Sequence, residues 1–155
     1  MKNKLQMEEV IQNFLDDELK EAALELSAYL TEKQLKIEKS GKTDWKIPYE
    51  KCYLCEIRFE PENWEIVFFS GDYSGDFDEG FIKTVQDSVK YCTKCHDCTS
   101  ATDTAIFGRK YKNVCGELTI RVKNPSGIKL EHVKQLIEFS KKIAPGSVSY
   151  HARNL

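Results

Sequence analysis

No apolar run in this chain approaches the length of a bilayer span, so a transmembrane helix is not expected. The opening residues, Met1-Lys2-Asn3-Lys4-Leu5-Gln6-Met7-Glu8-Glu9, hold no apolar h-region, which argues against a secretory signal. There is no internal repeat and no low-complexity tract. Also missing are a Ser-His-Asp order, a P-loop and a Rossmann fingerprint. His132 and His151 have no adjacent nucleophile pattern. The acidic loop with Asp72, Asp76, Asp78 and Glu79 lacks the tighter alternation and the twelfth-position Glu of a calcium loop. These absences leave the expectation of a cytoplasmic globular protein with no recognisable catalytic apparatus.

With 155 residues the chain reads as one domain, 1–155, long enough to bury a core without covalent staples. Its charge is unevenly spread. Residues 1–104 carry 13 Lys/Arg against 22 Asp/Glu, whereas residues 105–155 carry 10 against 3. Two faces with separate partners could produce this, but mutual neutralisation across the fold is the simpler account.

Periodicity divides the chain into four parts. Over 1–36, Met7, Ile11, Phe14, Leu15, Leu19, Ala22, Leu26, Tyr29 and Leu30 recur at helical steps, and Asp16-Asp17-Glu18 suits the start of a second helix. Over 44–70 the period becomes two. Trp45, Ile47 and Tyr49 share one face, then Tyr53, Cys55, Ile57 and Phe59, then Trp64, Ile66 and Phe68. A reverse turn at Glu60-Pro61-Glu62-Asn63 makes this an antiparallel meander. The part from 78 to 116 opens as a helix with the stripe Phe81, Val85, Val89 and Cys92, and continues as a cysteine-rich loop. In that loop, Ala105-Ile106-Phe107-Gly108 is an apolar patch expected to tuck under the fold. Over 117–143, Leu118, Ile120 and Val122 alternate as a strand, and a last helix follows with Leu130, Val133, Leu136, Ile137 and Phe139 inside. Ala144-Pro145-Gly146 should end it. The expected class is α+β, an antiparallel sheet packed with helices, with a cysteine-rich loop between a helix and the last strand.

The spacing that points to chemistry is Cys92-Thr93-Lys94-Cys95-His96-Asp97-Cys98, with Cys115-Gly116 beyond it. Cys92, Cys95, Cys98 and Cys115 could supply four thiolates to a tetrahedral zinc ion. Glycine after a ligand cysteine admits close amide-to-sulfur approach. An iron–sulfur cluster is the weaker metal reading, because Thr102 and Asp103 interrupt the ferredoxin run. A disulfide or redox pair within 92–98, and plain packing of reduced thiols, stay open beside it. Cys52 and Cys55 have the same spacing in a strand pattern, where residues three apart face opposite sides; they read as packing unless a bulge lies at Tyr53-Leu54. Gly108-Arg109-Lys110-Tyr111-Lys112 mixes basic and aromatic residues, but no nucleic-acid motif accompanies it, so nucleic acid is disfavoured as a partner.

Tyr91-Cys92 to Cys98, Ile106 to Cys115, Asn124-Pro125 and Val133 to Glu138 together resemble an uncharacterised family of small cysteine-rich α+β proteins from anaerobic Gram-positive bacteria. The resemblance covers most of the chain and implies no activity. It departs at Thr99-Ser100-Ala101-Thr102-Asp103, where members carry Gly and Pro. The functional expectation is a non-enzymatic module that binds a small molecule or a protein and is stapled by zinc. The alternative is a thiol-based redox enzyme or sensor using the Cys92–Cys98 loop. A third expectation is an anionic partner read by the basic C-terminal part.

Overall fold

The computed structural model describes residues 2–92 and 101–143. The chain runs α1 (Lys2–Phe14), α2 (Asp17–Glu32), β1 (Glu38–Lys39), β2 (Asp44–Tyr49), β3 (Cys52–Glu60), β4 (Asn63–Phe68), α3 (Glu79–Asp87), β5 (Thr102–Ile106), β6 (Arg109–Val114), β7 (Ile120–Lys123) and α4 (Ile128–Ile143). One antiparallel sheet has the order β1-β2-β3-β4-β7, and β5-β6 form a separate hairpin. This is the α+β class. Among the described residues no helix is long and apolar enough to cross a membrane.

The large sheet follows from alternation. Trp45, Ile47, Ile57, Phe59, Trp64, Ile66, Phe68, Ile120 and Val122 are all buried. They are apolar partners in register: Trp45 opposite Ile57, Phe59 opposite Trp64, Ile66 opposite Val122. Large side chains of this kind each contribute about 1.5–3 kcal/mol on full burial. Helices α1 and α4 pack on β3, and α2 packs on both of those helices. Their inner stripes are Met7 and Ile11, then Ala22, Ala23, Leu26 and Leu30, then Leu130, Val133, Leu136 and Ile137. The outer face of the sheet is charged, with Asp44 opposite Arg58, Arg58 opposite Glu65 and Glu65 opposite Lys123.

Three expectations need correction. The register slips between Ile47 and Pro48: Ile47 pairs with Cys55, but Pro48 pairs with Tyr53. Leu54 is therefore an extra residue, a bulge that restarts the alternation. As a result Cys52 and Cys55 lie on the same face and both are buried, at 4% and 0% exposure. Tyr53, expected inside with Cys55, turns outward instead; its hydroxyl donates to Glu38 Oε1 at 3.1 Å, and Lys46 Nζ lies 4.9 Å from its ring centre.

The second correction concerns the helix after Asp78. Asp78 caps it, with Oδ2 accepting from the Phe81 amide at 3.4 Å, and Phe81 and Val85 are buried as expected. The helix stops at Asp87, however, and Val89 and Cys92 are not on it. After the Ser88 cap, Val89–Cys92 is extended because the backbone of this segment is claimed twice. Arg121 N–H donates to Ser88 O and Lys90 N–H to Thr119 O, each at 2.7 Å. Cys92 N–H donates to Asn113 O and Cys115 N–H to Lys90 O, each at 2.8 Å. This segment lies between β7 and the end of β6 and ties the hairpin to the main sheet.

The third is the hairpin itself, expected as loop. Ile106 is fully buried, as the apolar patch required. Phe107-Gly108 is a two-residue turn with φ of 48° and 83°. Positive φ at both positions gives the strand twist a tight hairpin needs. Gly108 adopts it at no steric cost, whereas Phe107 is strained by about 1–2 kcal/mol. Burial offsets the strain. The Phe107 ring lies 5.6 Å from Phe77, 5.9 Å from Phe81 and from Phe139, and 6.5 Å from Tyr73, centre to centre. Its N–H donates to Tyr73 O at 2.8 Å, and Gln86 Nε2 donates to Ile106 O at 3.1 Å.

Candidate metal centre

Two of the four candidate ligands, Cys95 and Cys98, lie outside the described residues, as do His96 and Asp97. The structure places the other two. Tyr91 pairs antiparallel with Val114, so Cys92 stands opposite Asn113 and Cys115 opposite Lys90. Side chains alternate along an extended backbone, so Lys90, Cys92 and Cys115 fall on the face opposite that of the Tyr91–Val114 pair. Cys92 and Cys115 are diagonal neighbours on that face. Diagonal positions have Cα atoms roughly 7–8 Å apart with Cβ atoms closer, and two zinc–sulfur bonds of about 2.3 Å can bridge that gap.

The Cys115 sulfur is also prepared locally. Cys115 is 8% exposed. The chain turns back after it, Leu118 N–H donates to Cys115 Sγ at 3.5 Å, and Thr119 Oγ1 donates to Cys115 O at 3.2 Å. An amide N–H aimed at sulfur is the kind of contact that supports and orients a ligand cysteine in metal sites. Gly116, in the middle of this turn, was the sequence signal for the approach. The Lys90 ammonium on the same face can offset thiolate charge. Among the described residues no group of three or more His, Cys, Asp or Glu side chains converges as a metal site, and Cys92 with Cys115 are the candidate ligands placed.

The other cysteine pair behaves differently. The Cys52 thiol donates to Tyr49 O at 3.4 Å, and burial, with Glu50 nearby, pushes it up from its ordinary value. Complete burial raises Cys55 far more strongly, with the Glu56 carboxylate adding to it. Both carry free thiols. Sharing a face is the geometry the ligand alternative required, but these environments favour the protonated thiol, a packing role.

His132 is buried between α3 and α4, with Nδ1 2.7 Å from Thr84 Oγ1. It faces Phe81 at 6.1 Å between ring centres, which is a satisfied core histidine. His151 and the Ala144-Pro145-Gly146 stop lie outside the described residues. Comparison with protein-family models, curated proteins and solved structures finds no match.

Proposed function

We propose that the protein is a cytoplasmic, non-catalytic binding module in which Cys92, Cys95, Cys98 and Cys115 hold one structural zinc ion. The observation that carries this reading is the shared face of Cys92 and Cys115 on paired backbone, with the Leu118 amide directed at the Cys115 sulfur. The ion's task would be mechanical. It would close the chain between Cys92 and the hairpin and hold the base of β5–β6, while Phe107 holds the tip. Structural zinc brings on the order of 10–16 kcal/mol of apparent binding free energy, comparable with whole-domain stability of about 5–15 kcal/mol.

Elemental analysis of protein purified without added metal tests it. About one zinc per chain is expected, falling below a tenth in a Cys92→Ser/Cys115→Ser variant. A wild-type content below about a tenth of an atom per chain, with the loop thiols titrating freely or found as a disulfide, would sink the zinc reading. Stoichiometric iron with sulfide would replace zinc by a cluster.

A further inference from the structure

A second feature, independent of the cysteines, lies where α3 ends, β7 runs and α4 begins. A cleft of about 260 Å³ is lined there by Asp87, Ser88, Arg121, Lys123 and Lys129. Its acid is already engaged, since Lys83 Nζ donates to Asp87 Oδ2 at 2.7 Å. That bond, with Arg109 and Lys129 close enough to add their fields, holds the Asp87 carboxyl below its ordinary value. Three cations, Arg121, Lys123 and Lys129, line the cleft beside this engaged carboxylate. Among the described residues Arg121, Lys123 and Lys129 make no ion pair.

The rest of the sheet shows how unusual that is. On β2, β3 and β4 positive and negative side chains alternate, and Arg58 reaches Glu56 at 2.7 Å and Glu65 at 3.8 Å. At β7 the acids run short. Arg121 stands opposite Val67, and Lys123 stands opposite Glu65, which Arg58 already approaches. The helix ends do not decide the field, because the negative end of α3 and the positive end of α4 meet here and oppose each other. The side chains decide it.

We infer that this cleft binds the phosphate group of a small phosphorylated molecule. Three unpaired cations suit a group that is close to a dianion at neutral pH and offers several acceptor oxygens, and a guanidinium can engage two of them at once. The volume is below the roughly 300–1,000 Å³ of sites that enclose a drug-sized ligand. It fits a phosphate or diphosphate, with the remainder of the molecule in solvent.

Inorganic pyrophosphate is the probe, titrated into the purified full-length protein at about 20 mM and 200 mM salt and followed by calorimetry. Saturable binding is expected, weaker at the higher salt and reduced about tenfold by either Arg121→Gln or Lys129→Gln. Lys33→Gln/Lys36→Gln removes two cations from a different basic groove, around Lys33, Lys36 and Lys141, and should leave the affinity unchanged. No binding at about 10 mM pyrophosphate overturns the inference. So does equal weakening by the control variant, which would mean general charge attraction. A single-stranded oligonucleotide that displaces pyrophosphate at far lower phosphate concentration would assign the cleft to a nucleic-acid backbone instead.

Discussion

The five-stranded sheet and the β5–β6 hairpin are held by different means. The sheet is secured by quantity. Its inner face buries apolar partners in register across four strands, and the left-handed residues in its turns, Glu50 at φ 56° and Glu62 at φ 69°, are exposed and carry none of that burial. The hairpin has little interior of its own. Thr102, Asp103, Ala105, Arg109, Lys110, Lys112 and Asn113 are exposed, and only Ile106, Tyr111 and Val114 are buried. It depends on a few specific devices: one strained aromatic at the tip and a backbone pairing with Lys90–Cys92 at the base. A region built on quantity tolerates the loss of one contact better than a region built on a few fastenings.

The largest effects should separate the two regions. Ile66→Ala, at a fully buried position in the sheet, should cost about 2–5 kcal/mol and lower the urea midpoint of the whole domain. Phe107→Ala should cost about 2–3 kcal/mol, because the ring is only half-buried and the backbone strain remains. Its signature should be local: faster amide hydrogen exchange across 102–114, with the sheet amides little changed. If Phe107→Ala lowers the global midpoint as far as Ile66→Ala does, the hairpin and sheet are one cooperative unit and the contrast is broken.

The same division decides how much the sequence discloses. Sheet and helices were legible because burial writes a period into the chain, and Trp45, Ile47, Trp64, Ile66 and Phe68 keep that period. Cys52 and Tyr53 were misread for a physical reason. One inserted residue, Leu54, puts Cys52 and Tyr53 out of step with the alternation of Cys55, Ile57 and Phe59, and nothing in its side chain announces a bulge. The hairpin was missed because the first position of its turn holds Phe107, where Asn or Asp is the usual signal, and because Phe107 anchors the turn through ring contacts with Phe77, Phe81 and Phe139 that only the fold assembles. The end of α3 at Asp87 was hidden because Val89 fits a helical stripe equally well. Tertiary pairing with Thr119 and Arg121, remote in sequence, makes Val89–Cys92 extended. Cys115 carries a local signal, a cysteine followed by glycine and then a turn whose amide meets the sulfur. The basic cleft was visible only as an excess of charge in the second part of the chain. Its members come from α3, β7 and α4, and only the fold assembles them.

The cysteines sharpen the comparison at a smaller energetic scale. With burial raising both thiols, Cys52 and Cys55 should resist iodoacetamide at pH 8 in the folded protein and react only on unfolding. After chelation, Cys92 and Cys115 should be alkylated at least about tenfold faster than Cys55, as read by mass spectrometry of the digested protein. Equal rates for Cys55 and Cys115 would place both pairs in one environment and remove the distinction between packing sulfurs and ligand sulfurs.

The smallest expected effect concerns the charged face of the sheet. Asp44 begins the alternating row that continues through Arg58, Glu65 and Lys123. Partial burial, followed by repulsion from Glu56 and Glu65, raises its carboxyl above the ordinary value, and Arg58 only partly opposes this. The folded protein therefore holds this proton more tightly than the unfolded chain does. Stability from that preference is present at low pH and is lost as pH rises through the raised folded value. Asp44→Asn should consequently stabilise the domain at pH 7. The gain should be only a few tenths of a kcal/mol, because the group is largely solvated, and it should vanish below about pH 4. Urea midpoints of both proteins at pH 7 and in the acid range measure the difference. A loss of stability at pH 7 would mean that attraction to Arg58 outweighs desolvation. The row would then be held by its charges, and the outer face of the sheet would join the hairpin as a surface that depends on particular partners.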